Sequence, residues 1–325
     1  MLLSIAAVLV GFLILIWSSD QFVEGAAAIA RSLGVSQIII GMTIVSIGTS
    51  APEIVVSIIA ALDNAGNLAV GNAIGSNIAN IGVVLGATLL VAPLYLQESY
   101  VKKEMPMLLG VTLVGALFVI DGELSRTDGT ILIVALIVML TKMIRDESRD
   151  RALRDEVEQE SLGADTASHP WLRFMGGLIL LVLSSRLLVW GAVNIAQSMG
   201  VSELIIGLTI IAIGTSLPEL AASVMSARKG HAEIALGNVL GSNIFNLLAV
   251  LPVPGLLSNL VLDESVTTRD YPVMFALTLL LGVAMYSAHS LAKKRASQAR
   301  LGRLWGLTLL ICAVCYYTVL IQATR

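Results

Sequence analysis

Long apolar runs broken by short polar punctuation dominate the chain. Ten of them reach the ~20 residues that cross a ~30 Å hydrocarbon core. They cover roughly 2 to 26, 37 to 62, 67 to 95, 104 to 120, 127 to 144, 171 to 196, 203 to 227, 233 to 257, 271 to 289 and 303 to 322. The pattern predicts an all-α polytopic membrane protein of ten transmembrane helices. Several runs exceed the span length, which implies tilt or a break in the helix. The opening run, Met1 to Ser18, has no basic n-region and no A-x-A site after it, so it reads as the first span and not a cleaved signal. Residues 145 to 170 form the one strongly polar stretch, a short solvated linker between 1–144 and 171–325.

Composition agrees. Of 325 residues 56% are apolar and 13% charged, where a soluble domain carries about 25% charged residues. A net charge of −3 and few, scattered aromatics exclude a nucleic-acid partner. Cys312 and Cys315 lie in an apolar run without a second pair or a nearby His, and read as packed or lipid-facing thiols. Lys and Arg set the orientation, because cytoplasmic loops carry the excess. With both termini outside, 16 of the 20 basic residues fall on the inner side, Arg126, Arg269 and Arg325 on the outer side, and Arg186 within a span. The linker is then cytoplasmic.

Sliding the sequence on itself superposes Ser32 to Gly82 on Ser198 to Leu248 without a gap, at an offset of 166, with 25 identities in 51 positions. The identities concentrate in polar and special residues: Gly41, Thr43, Gly48, Thr49, Ser50, Pro52, Glu53, Gly71, Asn72, Gly75, Ser76, Asn77 and Asn80. Packing alone would retain small and apolar residues and has no use for Glu and Asn in hydrocarbon. Five spans per half make the second copy enter the membrane from the opposite side, so the two five-helix repeats are expected to be inverted, with motif regions 41–82 and 207–248. Inverted repeats place a site at the midplane on discontinuous helices.

The first motif is Gly48-Thr49-Ser50-Ala51-Pro52-Glu53, repeated as Gly214-Thr215-Ser216-Leu217-Pro218-Glu219. Proline lacks an N–H and clashes with the carbonyl four residues back, so the helix must break. Freed carbonyls at that depth are tolerable only in a wet cavity or on an ion. A carboxylate there is costly, which marks Glu53 and Glu219 as an ion site. In the second motif Asn72, Ser76 and Asn80 share a helical stripe beside Gly71 and Gly75, as Asn238, Ser242 and Asn246 do beside Gly237 and Gly241. Asn77 and Asn243 belong to the same motif. A stripe of amides and hydroxyls on a membrane helix must face protein or ion, and reads as the opposite wall of the cavity.

The donors are carboxylate, hydroxyl, amide and carbonyl oxygens, which suit Ca²⁺ and Na⁺; Zn²⁺ and Cu⁺ would call for Cys and His. His169, His231 and His289 fall in loops or near span ends. Two facing carboxylates in a poorly screened cavity should take up protons or monovalent ions when empty. One Ca²⁺, two Na⁺ or two protons neutralise the pair, and mutually exclusive occupancy is the basis of exchange.

The paired GTSxPE and GNxxGSNIxN motifs resemble the α-repeats of the calcium:cation antiporter superfamily, which includes the sodium/calcium exchangers, and the chain is similar to its small bacterial YrbG-type members. The resemblance covers essentially the whole chain. It implies a multi-pass protein of the bacterial inner membrane that exchanges Ca²⁺ for Na⁺, with no cofactor, no enzymatic step and no obligate protein partner. It also implies that Glu53 and Glu219 ligate Ca²⁺ with the carbonyls of Thr49 and Thr215. Ser50, Ser216, Ser76 and Ser242, with the carbonyls of Ser46 and Ala212, would form flanking Na⁺ sites, and Asn80 and Asn246 would line the centre. Several relatives carry Asp at the position of Asn246, so Asn disfavours potassium dependence and leaves stoichiometry open. H⁺/Ca²⁺ antiport through the same residues is the alternative. A channel would need a filter built from several chains, and a symporter for organic solutes would need aromatic or basic groups that the motifs lack.

Overall fold

A computed structural model describes residues 1–155, 169–200 and 212–323. The chain is helical almost throughout. In order it forms α1 (Leu2–Leu33), α2 (Gln37–Thr49), α3 (Ala51–Leu62), α4 (Gly66–Val91), α5 (Met105–Val119), α6 (Arg126–Asp155), α7 (Pro170–Ser198), α8 (Ala212–Thr215), α9 (Leu217–Arg228), α10 (Ala232–Leu257), α11 (Tyr271–Arg295) and α12 (Arg303–Ala323). Among the described residues seven helices are long and apolar enough to cross a membrane, and α2 with α3, bent by 45°, makes up to an eighth span. Two of the ten expected spans do not reach that standard. The run 104 to 120 holds the 15-residue α5 behind a wider turn at Tyr100–Glu104, because Lys102, Lys103 and Glu104 cut its apolar length. The span expected over 203 to 227 lies partly outside the described residues, as do 207 to 211 of the second motif region and 156 to 168 of the linker.

Two helices form the centre. In the most apolar stretch of α10, 94% of residues are buried, and in that of α4 72%, against 17% in α6. α10 is therefore surrounded by protein and α4 largely so, which is why polar side chains on them can be satisfied. The apolar core joins α4, α10, α5 and α11, and a second cluster lies between α1 and α7 around Phe22 and Phe174.

The offset of 166 reappears in the backbone. Turns of π-helix occupy Asn80–Leu85 and Asn246–Val250, and again Tyr100–Glu104 and Val266–Asp270. Such widened turns displace carbonyls and recur at functional sites. Two-residue strands β1 (Leu94–Tyr95) and β3 (Leu260–Val261) obey the same offset. β1 pairs antiparallel with β4 (Arg300–Leu301), and β3 with β2 (Glu123–Leu124).

The repeat also extends upstream of the region that the sequence comparison found. Gly11, Ser18, Ser19 and Gly25 of α1 match Gly177, Ser184, Ser185 and Gly191 of α7. These two helices cross in contact, antiparallel, through those glycines. A Cβ on Gly25 would lie 2.5 Å from the backbone N of Phe174, and one on Gly177 would lie 2.5 Å from that of Phe22. The Phe22 and Phe174 rings stack with centroids 4.8 Å apart.

Candidate cation site

Pro52 and Pro218 each sit at the second position of a helix, α3 and α9, where a missing N–H costs nothing. The breaks fall on Ser50 (φ −84°, ψ 5°) and Ser216 (φ −87°, ψ 8°), nearly identical conformations. Glu53 and Glu219 stand in the first turns that follow, where the positive helix end favours a carboxylate. Both are 1% exposed.

The structure brings the two motifs together across the halves. The Ser50 hydroxyl donates to Glu219 Oε1 at 3.0 Å and lies 3.0 Å from Ser242 Oγ. Having one proton, Ser50 accepts from Ser242. Thr49 Oγ1 donates to Asn238 Oδ1 at 3.0 Å. Ser46, Ser50, Ser76, Ser216, Ser242, Asn80 and Asn246 are all buried. The Ser46 carbonyl already accepts from the Ser50 N–H at 2.9 Å. Thr215 ends α8, which begins at Ala212; the side chain of Ala212 lies outside the described residues.

The asparagines divide into two kinds. Asn72 and Asn238 brace the glutamate backbones: Asn72 Nδ2 donates to the Glu53 carbonyl and Ser57 Oγ, both at 3.2 Å, while Asn238 Nδ2 donates to the Glu219 carbonyl at 3.3 Å and Ser223 Oγ at 2.9 Å. Asn77, Asn243 and Asn246 interlock instead. Asn77 Nδ2 donates to the Asn243 carbonyl at 3.1 Å, Asn246 Nδ2 to Asn77 Oδ1 at 3.0 Å, and Asn243 Nδ2 to the Val239 carbonyl at 2.6 Å.

What remains unpaired defines the chemistry. Glu53 Oε2, Glu219 Oε2, Asn80 Oδ1, Asn243 Oδ1, Asn246 Oδ1 and Ser216 Oγ are buried without a hydrogen-bond partner. An orphaned buried polar group costs roughly 1–3 kcal/mol, so several in one place call for an explanation. Every one of these is an oxygen. Among the described residues no Lys, Arg or His pairs with either glutamate, and no cluster of three His, Cys, Asp or Glu exists that would suit a softer metal. The arrangement therefore fits a hard cation held by mixed oxygens.

Other expectations resolve less symmetrically. Gly237 and Gly241 do bring backbones close, since a Cβ would lie 2.7 Å from the Ile38 carbonyl and 2.6 Å from that of Met42. At Gly71 and Gly75 no described atom comes within 4 Å; the segment matching 38 to 45 lies at 204 to 211, outside the described residues. Three residues that the motifs did not single out take part. Ser57 and Ser223 receive the bracing amides, and Ser185 donates to the Gly214 carbonyl, the acceptor freed by Pro218, at 3.1 Å. All three were visible as serines repeating at the common offset. Of the histidines, His231 is half-buried against Gln37 at 3.2 Å, outside the site, and burial holds its pKa below the usual value. Cys312 and Cys315 are free thiols on α12, the latter exposed.

Comparison with known proteins agrees with this geometry. Residues 3–145 and 169–322 match the family model described as sodium/calcium exchanger protein. CaxA of Alkalimonas amylolytica is 44% identical over 99% of this chain and 100% of its own, and the inner membrane protein YrbG of Escherichia coli K12 is 39% identical over 87% of this chain and 89% of its own. A solved structure of the sodium-calcium exchanger NCX_Mj superposes with a TM-score of 0.82 at 32% identity, covering 100% of this chain and 99% of that one. A membrane protein with this match over both of its motif regions belongs to the sodium/calcium exchanger family.

Proposed function

We propose that this chain is a secondary antiporter that exchanges Ca²⁺ for Na⁺ by alternating access. The observation that carries the reading is the set of partnerless buried oxygens that includes Glu53 Oε2 and Glu219 Oε2, two carboxylates with no basic partner among the described residues. A buried carboxylate pair without a counter-charge needs a mobile one. One Ca²⁺, two Na⁺ or two protons supply it, so the carboxylates are never favourably left bare, and release of one ion is coupled to uptake of another.

In this reading Glu53 and Glu219, with the Thr49 and Thr215 carbonyls, hold Ca²⁺. Ser50, Ser76, Ser216 and Ser242, with the carbonyls of Ser46 and Ala212, hold flanking Na⁺, and Asn80 and Asn246 offer amide oxygens between them. Asn72 and Asn238 hold the glutamates in place. Residues 1–144 and 171–325 are inverted five-span halves of a ten-span inner-membrane protein, with both termini outside and the 145–170 linker cytoplasmic. The antiparallel crossing of α1 with α7 supports the inversion, since the offset pairs these two helices.

The decisive experiment measures Ca²⁺ flux into vesicles containing the purified protein, driven separately by a Na⁺ gradient and by a pH gradient. Uptake under the Na⁺ gradient is expected; uptake under the pH gradient alone would reassign the counter-ion to H⁺. Asn246→Asp extends the test, because it adds a third carboxylate beside two. Its Ca²⁺ flux is expected to become steeper with pH or to acquire dependence on K⁺. Unchanged profiles in a well-expressed variant would remove Asn246 from the cavity.

Orientation has its own check. With Cys312 and Cys315 replaced, single cysteines near Asp155 and near Asp263 should react with an impermeant thiol reagent from the inside only and the outside only. Labelling of both from one side contradicts the inverted halves.

A further inference from the structure

Lys229, which follows α9, grips α1 through two carboxylates: its Nζ lies 2.7 Å from Asp20 Oδ1 and 2.8 Å from Glu24 Oε1. At the offset of 166, Asp20 corresponds to Arg186 on α7, and Lys229 corresponds to Asp63, which follows α3. Both charges are reversed. A pair formed by the counterparts would therefore attract again, although neither residue resembles its equivalent. Among the described residues Arg186 and Asp63 make no ion pair in this conformation, and both are exposed.

The same one-sidedness appears in the site. Ser50 binds Glu219 and Ser242, whereas its counterpart Ser216 leaves its hydroxyl oxygen without a partner. Among the asparagines, Asn77 Oδ1 accepts from Asn246, whereas the counterpart oxygen, Asn243 Oδ1, has no partner. A molecule of two like halves that is engaged on one side has a second conformation in which the halves exchange roles. In that conformation the contact between position 20 and position 229 is replaced by the contact between 186 and 63.

We propose that Asp20–Lys229 and Arg186–Asp63 are alternating latches, the first closing the conformation seen here and the second its opposite. The proposal rests on the exchange reading above. It gives Arg186 a purpose within its span, where an unpaired guanidinium facing lipid is costly. It also makes the latches unequal: Trp190 stands where the first half has Glu24, so the second latch has one carboxylate against the first latch's two, and the resting population leans to the conformation seen.

The test uses the full chain in membrane vesicles with Cys312→Ala and Cys315→Ala. Asp20→Cys with Lys229→Cys, and separately Asp63→Cys with Arg186→Cys, are treated with a short bifunctional methanethiosulfonate, and Ca²⁺ exchange is measured before and after reduction. Both pairs are expected to cross-link, each cross-link to stop exchange, and reduction to restore it. Adding Lys229→Gln to the second pair should raise its cross-linking rate by about two- to five-fold, the scale of a partly exposed ion pair. In protein that exchanges, a second pair that does not cross-link, or a rate indifferent to Lys229→Gln, overturns the latch. A cysteine-free parent that exchanges no Ca²⁺ under either gradient overturns the exchange reading, and the latch with it.

Discussion

Glu53→Gln and Glu219→Gln each abolish Ca²⁺ exchange while leaving insertion and yield intact. Each variant keeps the shape of its side chain and removes one of the two charges that balance the ion. A divalent cation facing a single carboxylate leaves a net charge in a site where both glutamates are 1% exposed. Breaking a buried pair in this way costs about 3–5 kcal/mol, and each ~1.4 kcal/mol is tenfold. Exchange should therefore fall by more than about 100-fold. Glu219→Gln has a second effect, since Glu219 Oε1 accepts the Ser50 hydroxyl; a neutral amide oxygen accepts that bond less strongly. Calcium flux into vesicles, normalised to protein in the membrane, checks both. A wild-type rate in either variant would show that the site is elsewhere.

The second large effect is structural. Gly25→Val and Gly177→Val each place a Cβ 2.5 Å from a backbone nitrogen of the facing helix, and backbone cannot be rotated aside as a side chain can. The crossing must open, separating the Phe22 and Phe174 rings. Overpacking of this kind costs roughly 1–3 kcal/mol or more, and here it strikes the one surface that joins α1 to α7. Lower folding yield and a fall of several degrees in unfolding temperature in detergent are expected for both. Gly176→Ala is the control: it neighbours Gly177, meets no described atom within 4 Å, and exchanges a poor helix former for the best. If Gly25→Val matches the wild type in yield and melting while Gly176→Ala falls, the crossing is wrongly placed.

Both results bear on what a sequence discloses. The break before Glu53 and Glu219 was legible because proline enforces it chemically, and the polar stripe because hydrocarbon makes every amide conspicuous. The division of labour among the asparagines was not. Asn72 and Asn80 share a stripe, yet Asn72 spends its amide on the Glu53 carbonyl while Asn80, which opens a widened turn, keeps an oxygen free. Such turns leave no signature in residue type. The upstream repeat was hidden for another reason: Gly11, Gly25 and their partners are small residues in apolar runs, where coincidence is common, and only the crossing of α1 with α7 shows what they are for. The run 104 to 120 satisfied an apolar count without giving a long apolar helix, because the helix that holds it opens in a turn carrying Lys102, Lys103 and Glu104.

Consider how the molecule is synthesised, one end first. α1 finds its partner in α7, β1 in β4, β2 in β3, and Glu219 its hydroxyl in Ser50. All of these contacts join an early segment to a late one. The early helices therefore enter the bilayer with the glycine face of α1 against lipid and with half an ion site, and wait for a distant stretch of chain to arrive. Contacts so remote in sequence close slowly, and exposed partial structures are the ones that misassemble. The contacts that complete the site, Ser50 with Glu219 and Asn77 with Asn246, thus close only once the second motif region has been made.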